Sequence, residues 1–422
     1  MKESAPSIPQ CVHDTPEYAF YDAIVFSHPI RHYYSMEIAR LNRTSRILAG
    51  HLWVFSNELA TSPKDFEPGA LVELRDRKDN FLGIGYINPH SLIAVRILTR
   101  QREPIDSGFF KKRVIDALEY RKRLLKDMDA FRAVYSEGDF LPGLIVDKYN
   151  DCISVQFLTA GMDRVSDMII DILDDVLSPS AIVLRNDSSA RLLEGLGREK
   201  RVIKGTLDAL SVIREDSLLF EIDPLSGQKT GFFLDQSENR KAFAALVGEG
   251  RGLDLFCYSG AWGIHLAGKG CELTGVDESE SAITQAQKNA GMNGLSERCT
   301  FKKADVFEFL KSEVTRGARH DFIALDPPAF VKGKTKVKEA LRAYRGINAN
   351  AMRILKEGGL LATSSCSYHI EREAFIEMLR TAAKEAGRQT RLVELRSQAR
   401  DHPVLLSMPE TEYLKCAFLE VR

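Results

Sequence analysis

The chain has no Cys-x-x-Cys pair, no uninterrupted apolar stretch of membrane-spanning length and no marked excess of charge of either sign. Its seven cysteines are scattered over positions 11, 152, 257, 271, 299, 366 and 416, without a histidine pattern suited to zinc. Such scatter favours reduced thiols, with no metal site, over a disulfide framework. A membrane helix needs roughly 18 or more consecutive apolar residues, and the N-terminal MKESAPSIPQCVHDTPEYAF lacks even the shorter apolar core of a signal peptide. The expectation is a cytoplasmic protein with no membrane span. A formal net charge of −1 singles out no partner, so a role with RNA rests on local basic patches that the average hides. The sequence also lacks GxGxxG after its first parallel strand, which weakens a dinucleotide oxidoreductase reading.

What is present is ordinary globular composition, 44% hydrophobic and 28% charged, in 422 residues, enough for two or three domains. Residues 1–36 carry prolines and no sustained periodicity, and read as an extension. Either Met36 is the biological start, or Tyr18, Tyr21, Phe26, Tyr33 and Tyr34 belong to an arm packed on the body. Residues 37–106 read as a small β-rich barrel, with LVELRD, FLGIGYI and LIAVRIL divided by the turns RKDN and NPHS. Arg40, Arg43 and Arg46 precede HLWVF and could meet phosphates from one face of a helix or arm, or form a solvated basic surface. Residues 107–205 form a central α+β unit. It opens with an amphipathic helix carrying Phe110, Val114, Leu118 and Leu125, then a hairpin after Gly138, Pro142 and Gly143, a helix near 163–177 and the strand AIVLRND.

From residue 206 to 422 strands and helices alternate, which favours a largely parallel α/β sheet with right-handed crossovers. Ligands in such sheets bind beyond the carboxyl ends of the strands. LDLFCYSGAWG gives a strand, a turn and a helix, with Gly260 and Gly263 allowing close backbone approach to a ligand. CELTGVD ends in Asp277, at the remove from Asp254 from which a carboxylate holds ribose hydroxyls. TFKKAD ends in Asp305, HDFIALDPPAF in Asp326 and Phe330, and GGLLATSSC in Cys366. One aspartate at a strand end is more often a cap or turn former, but the ordered set points to a site. The two prolines after Asp326 remove amide donors and hold the loop open. An aromatic ring beside a carboxylate suits a planar base, one stacking and the other bonding its edge, although Phe330 could equally be core.

The motifs SGQKTGFFLDQSENR, LDLFCYSGAWG, GVDESE, DPPAF, SCSYH and DHPVLLSMPETEYLK, in this order, closely resemble the S-adenosylmethionine-dependent large-subunit ribosomal RNA methyltransferases that form 5-methylcytosine and carry an N-terminal PUA domain. The resemblance runs from about residue 37 to 422. It implies a PUA-like RNA-binding barrel at 37–106, a central domain also used for RNA, and a class I methyltransferase Rossmann-like sheet at 206–422 whose last strand, YLKCAFLEV, is antiparallel. It further implies S-adenosylmethionine as cofactor, large-subunit ribosomal RNA as partner, and a monomer or homodimer. Asp254, Phe256, Ser259 and Gly260 would line the methionine part, Asp277 the ribose and Asp305 the adenine. Asp326 would lie near methyl and base, while Phe232, Asp235 and Gln236 lead into the cleft. Lys229, Phe330, Arg43 and Arg46 are the candidate RNA contacts.

The chemistry explains the thiol. Carbon 5 of cytosine is a weak nucleophile, and a thiolate added at carbon 6 pushes electron density onto it. Cys366 is the expected nucleophile, part-exposed and with a depressed pKa, and Asp326 the group that stabilises the activated base. Cys257 and Cys416, within apolar runs, read as small buried hydrophobes. Many RNA methyltransferases acting at this carbon have a second cysteine after the Pro-Pro. Here that position is Ala329, so the base that removes the carbon 5 proton is unassigned, with His369 a candidate. The rival readings are methylation of an exocyclic amine such as that of guanine, which needs no thiol, and an RNA-binding assembly factor without catalysis.

Overall fold

Short apolar runs closed by turn residues become strands in the computed structural model, which describes residues 36–126, 128–207, 211–330 and 336–422. Residues 1–35 of the extension, with the tyrosines and phenylalanine of the expected arm, lie outside the described residues. Ala70–Arg75, Phe81–Ile87 and Val95–Thr99 are the three foreseen strands of the N-terminal part. Glu37–Arg40 and Trp53–Val54, too short to show periodicity, complete a five-stranded sheet around Val72, Leu74, Ile87, Val95 and Ile97. The turn at RKDN closes because Asp76 Oδ1 accepts from the backbone of Lys78 and Asn80, at 2.8 and 2.9 Å.

Helix Ser107–Leu124 starts where the Asp106 carboxylate accepts from Phe109 N at 3.0 Å, and buries Phe109, Phe110, Val114 and Ala117. Leu125, counted on its stripe from the sequence, already lies past the last turn. It packs on a second five-stranded sheet, ordered 199–204, 181–186, 152–157, 144–149, 130–135. Within it Leu144–Tyr149 and Cys152–Phe157 form the expected hairpin, and Asn150 takes the left-handed turn position at φ +59°.

The C-terminal part holds a seven-stranded sheet. Its strands are β1 Arg251–Leu255, β2 Glu272–Asp277, β3 Cys299–Lys303, β4 His320–Leu325, β5 Leu355–Ser365, β6 Thr390–Arg396 and β7 Lys415–Val421. Their spatial order is β3-β2-β1-β4-β5-β7-β6, with β1 to β5 parallel and β7 antiparallel to both neighbours. The order reverses between β1 and β4, the switch point where a doubly wound sheet opens a crevice. Helices α1 Ser237–Leu246, α2 Ala261–Ala267, α3 Glu280–Met292, α4 Val306–Thr315, α5 Val337–Arg353 and α6 Arg372–Ala386 cover the two faces. Continuous apolar stretches such as Phe322–Leu325 are buried on both sides, as a central parallel strand requires.

Glu37 to Arg422 is one compact unit. The segment between β6 and β7 joins its parts: Arg121 Nη2 donates to Asp401 O at 2.7 Å, Arg132 N to Asp401 Oδ2 at 2.8 Å, and Tyr135 OH to Thr411 O at 3.0 Å. His51 meets Glu410 at 3.1 Å. No helix among the described residues is long and apolar enough to cross a membrane, and no cluster of metal-ligating side chains occurs among them.

Candidate active site

A cavity of about 530 Å³ opens over the carboxyl ends of β1, β2, β4 and β5, and the strand-end residues Asp277, Asp305, Asp326 and Cys366 all line it. The turn after β1 is built under constraint. Phe256 and Tyr258 hold positive φ, +62° and +46°, and Gly260 sits at φ +81° with Ala286 and Phe301 so near that a side chain would press on both. Tyr258 N donates to Asp277 Oδ2 at 2.9 Å, fixing the turn to the end of β2.

Asp254 does not reach the cavity. It lies beneath the turn, fully buried, where Oδ2 accepts from Gly263 N at 2.8 Å and Oδ1 has no partner among the described residues. Burial, with Asp326 and Asp277 nearby, pushes its pKa up to about 7. Gly263 packs closely on β2: a Cβ there would fall 2.0 Å from the Leu273 side chain. Ser259 lines the cavity, and its buried hydroxyl has no partner among the described residues. Asp277 Oδ1 accepts from Ser279 N at 3.0 Å, and Asp305 Oδ1 from Glu308 N at 2.9 Å, capping α4. Asp305 is thus both the cap that an isolated aspartate suggests and part of the cavity wall.

Asp326 follows β4. Its Oδ1 accepts from Gln236 Nε2 at 2.9 Å and its Oδ2 from Trp262 Nε1 at 3.1 Å, while burial raises its pKa above the usual carboxylate range. Gln236 also reaches Ser364 Oγ at 3.0 Å, tying the ends of β4 and β5. Lys229, at φ +51°, pairs with buried Asp235 at 2.5 Å and lies 4.5 Å from the Phe233 ring centroid. That pair and the Tyr413 hydroxyl hold the Asp235 carboxyl well below its ordinary range against the effect of burial.

Cys366 ends β5 part-exposed, the only described cysteine that is not buried. Its pKa is not depressed as expected: burial pushes it up to about 11, and Lys229 only partly offsets this against Asp326 and Asp235. Cys416 and Cys257 are buried hydrophobes as read, both raised by burial, Cys416 to about 12. Phe330 combines its two readings, lining the cavity while packing 4.5 Å from the Tyr344 ring and beside Phe256 and Phe307. Phe232 lines the cavity while packing 5.3 Å from Phe220 and under the Arg240 guanidinium. His369 packs on Tyr368 and does not line the cavity. The arginines do not share one helix face. Arg40 belongs to a strand and pairs with Asp79, Arg46 lies near Glu58 and Glu410, and exposed Arg43 has no ion pair among the described residues.

Three further residues shape the site. Trp262 holds Asp326, Tyr344 OH meets Ser367 Oγ at 3.0 Å and Pro328 O at 3.3 Å, and Lys415 reaches the loop after Cys366. Lys415 alone had a visible signal, a lone cation inside the apolar strand YLKCAFLEV. The volume is in the range of ligand sites, and the unpaired Ser259 hydroxyl, the Asp277, Glu278 and Asp305 carboxylates and the Phe256, Phe307 and Phe330 rings suit a nucleoside carrying an amino-acid tail.

Residues 40–100 match the PUA-like domain family, and residues 248–405 match a methyltransferase domain family. In fold, the chain is similar to a solved structure described as a SAM-dependent methyltransferase from Streptococcus mutans, with a TM-score of 0.79 at 19% identity, covering 91% of this chain and all of that one. In sequence it is 35% identical over 378 residues to ribosomal RNA large subunit methyltransferase I of Pseudoalteromonas atlantica, covering 88% of this chain and 96% of the relative. The same-named protein of Klebsiella pneumoniae is 34% identical over 88% of this chain and 95% of its own length. With such identity along nearly the whole of both chains, this protein belongs to the ribosomal RNA large subunit methyltransferase I family.

Proposed function

We propose that this enzyme methylates carbon 5 of a cytosine in large-subunit ribosomal RNA through a covalent bond to Cys366. The substrate class follows the names of its relatives, and residues 37–106 and 107–205 serve as the RNA-binding PUA-like and central domains ahead of a catalytic domain at 206–422. The observation that carries the reading is the placement of the one part-exposed described thiol in the wall of the same cavity as Asp326 and the strand-end carboxylates.

S-adenosylmethionine, when bound, supplies an electrophilic methyl group, and Ser259, Asp277 and Asp305 would hold it. The Cys366 thiol loses its proton, and Sγ bonds to carbon 6 of a cytosine extruded from its helix. The electron pair moves towards the ring nitrogen and carbon 5. Asp326, whose raised pKa favours the protonated carboxyl, donates to the ring nitrogen or, when ionised, accepts from the exocyclic amine. Carbon 5 takes the methyl as the bond between methyl and sulfonium sulfur breaks, a base or solvent water accepts the carbon 5 proton, and the Sγ to carbon 6 bond breaks to return the thiolate. Phe330 presents an aromatic face to the base.

Ribosomal RNA containing 5-fluorocytidine tests the covalent step, because the fluorine cannot leave as a proton does. With S-adenosylmethionine present, the wild type is expected to form an RNA adduct stable to denaturing electrophoresis, mapped to Cys366. Cys366→Ala should form none. Turnover of ordinary RNA by Cys366→Ala would instead favour exocyclic-amine methylation at the same Asp326 and Phe330.

A further inference from the structure

A buried ammonium with no carboxylate in ion-pair contact needs a reason. Lys415 is 5% exposed, yet it makes no ion pair with a carboxylate among the described residues. Two of its three donors go to backbone carbonyls, Ser367 O at 2.8 Å and Tyr413 O at 2.9 Å. An uncompensated buried charge is unfavourable, and an apolar residue would fill this strand position at lower cost. Its neighbours in β7, Cys416, Ala417 and Phe418, are apolar and buried.

The register explains what Lys415 is next to. It pairs with Ser365 across the β5–β7 ladder, and its ammonium bonds the carbonyl of Ser367, so it brackets Cys366 from both sides. The charge of Lys415 and that of a Cys366 thiolate act on one another favourably. From other elements the thiol is faced by Lys229, which favours its ionised form, by Asp326 and Asp235, which oppose it, and by the Tyr344 hydroxyl. Lys415 is faced in turn by Glu412, which favours its charge, and Arg372, which opposes it.

We infer that Lys415 is a positioning residue for Cys366, fixing the loop that carries the thiol and holding a cation against the thiolate as it forms. Burial of the thiol disfavours its charged form, and two carboxylates deepen the effect. A cation from the strand behind it counters both without entering the space needed by the base. Burial also lowers the ammonium to about 8, so the support weakens in alkaline solution. This role rests on Cys366 being the nucleophile.

The test is the pH dependence of Cys366 alkylation by iodoacetamide, followed peptide by peptide in the full chain. In the wild type the rate should climb about tenfold per pH unit below about 8 and less steeply above it, as Lys415 loses its charge. Lys415→Met should react roughly tenfold more slowly at pH 7, where the ammonium is charged, and the difference should close above about pH 8, with S-adenosylmethionine affinity unchanged. Lys415→Arg, which stays charged, should keep the fast reaction without the change of slope, which a purely structural role does not predict. An unchanged profile in Lys415→Met would overturn the role. If that variant fails to bind cofactor, the wild-type profile decides alone, and a uniform slope through pH 8 counts against the role. The outcomes separate from those of the covalent mechanism: catalysis by Cys366→Ala sinks the mechanism, whereas an unchanged alkylation profile sinks only the contribution of Lys415.

Discussion

Burial holds the Cys366 thiol and the Asp326 carboxyl protonated further up the pH scale than usual, so the reactive thiolate is a minor species at neutral pH. Below a thiol's pKa each unit of pH raises the thiolate fraction about tenfold. Single-turnover methylation should therefore quicken from about pH 7 to 9, and a flat profile would show that another step limits the rate. Cys366→Ala should slow methyl transfer by roughly two orders of magnitude or more while S-adenosylmethionine still binds. Asp254 makes a stability prediction of definite sign. Its folded value of about 7 lies above the ordinary 3.8, so the native state binds the extra proton. Its contribution is complete below about pH 4 and is lost as pH rises through 7. Thermal unfolding of Asp254→Asn should vary less across that window and exceed the wild-type midpoint at pH 8. Equal slopes in the two proteins would contradict this.

Asp277, Asp305 and Asp326 each hold local structure by hydrogen bonds and also line the cavity, and Asp305 allows the two duties to be separated. Asn caps a helix nearly as well as Asp, whereas Ala loses about 1 kcal/mol. Asp305→Asn should keep the urea midpoint but weaken cofactor binding, and Asp305→Ala should lower both. Calorimetry with S-adenosylmethionine and urea unfolding read the two effects independently. In β1, Gly252 lies opposite Phe322, and a Cβ there would fall 2.0 Å from the ring. Gly252→Ala should destabilise by about 1–3 kcal/mol through overpacking, measured by the same urea transitions. The strands, their acidic tips and the thiol were legible because apolar runs broken by a polar residue record where a buried strand meets a crevice. The packing of Gly263 against Leu273 and of Phe232 against Phe220 was not, since contacts between distant strands and helices leave no local pattern in the sequence.

At the scale of the whole molecule, the segment between β6 and β7 connects the site to the central and N-terminal parts. Arg121 is buried, pairs with Asp139 and bonds Asp401 O, and Asp401 in turn holds Arg132 N. Arg121→Met leaves Asp139 buried without its partner and should cost about 3–5 kcal/mol. Its urea transition should shift as one step, because the three parts form one unit from Glu37 to Arg422. Two separate transitions would show that the parts unfold independently. The fold class was legible from the change between β-rich, mixed and alternating patterns. This network was not, because Arg121 and Asp401 lie far apart in the chain and an arginine on an amphipathic helix reads as solvated surface. The depression expected for the Cys366 pKa failed for a related reason: local sequence shows a thiol at a strand end, but not the burial around it. The central claim is that the thiol serves carbon 5 chemistry, and nucleoside mass spectrometry tests it most directly. Large-subunit ribosomal RNA from cells lacking this protein would be incubated with it and labelled S-adenosylmethionine, then digested. Label in 5-methylcytidine that disappears with Cys366→Ala is the predicted result; label in a methylated guanosine that survives that substitution would contradict the account.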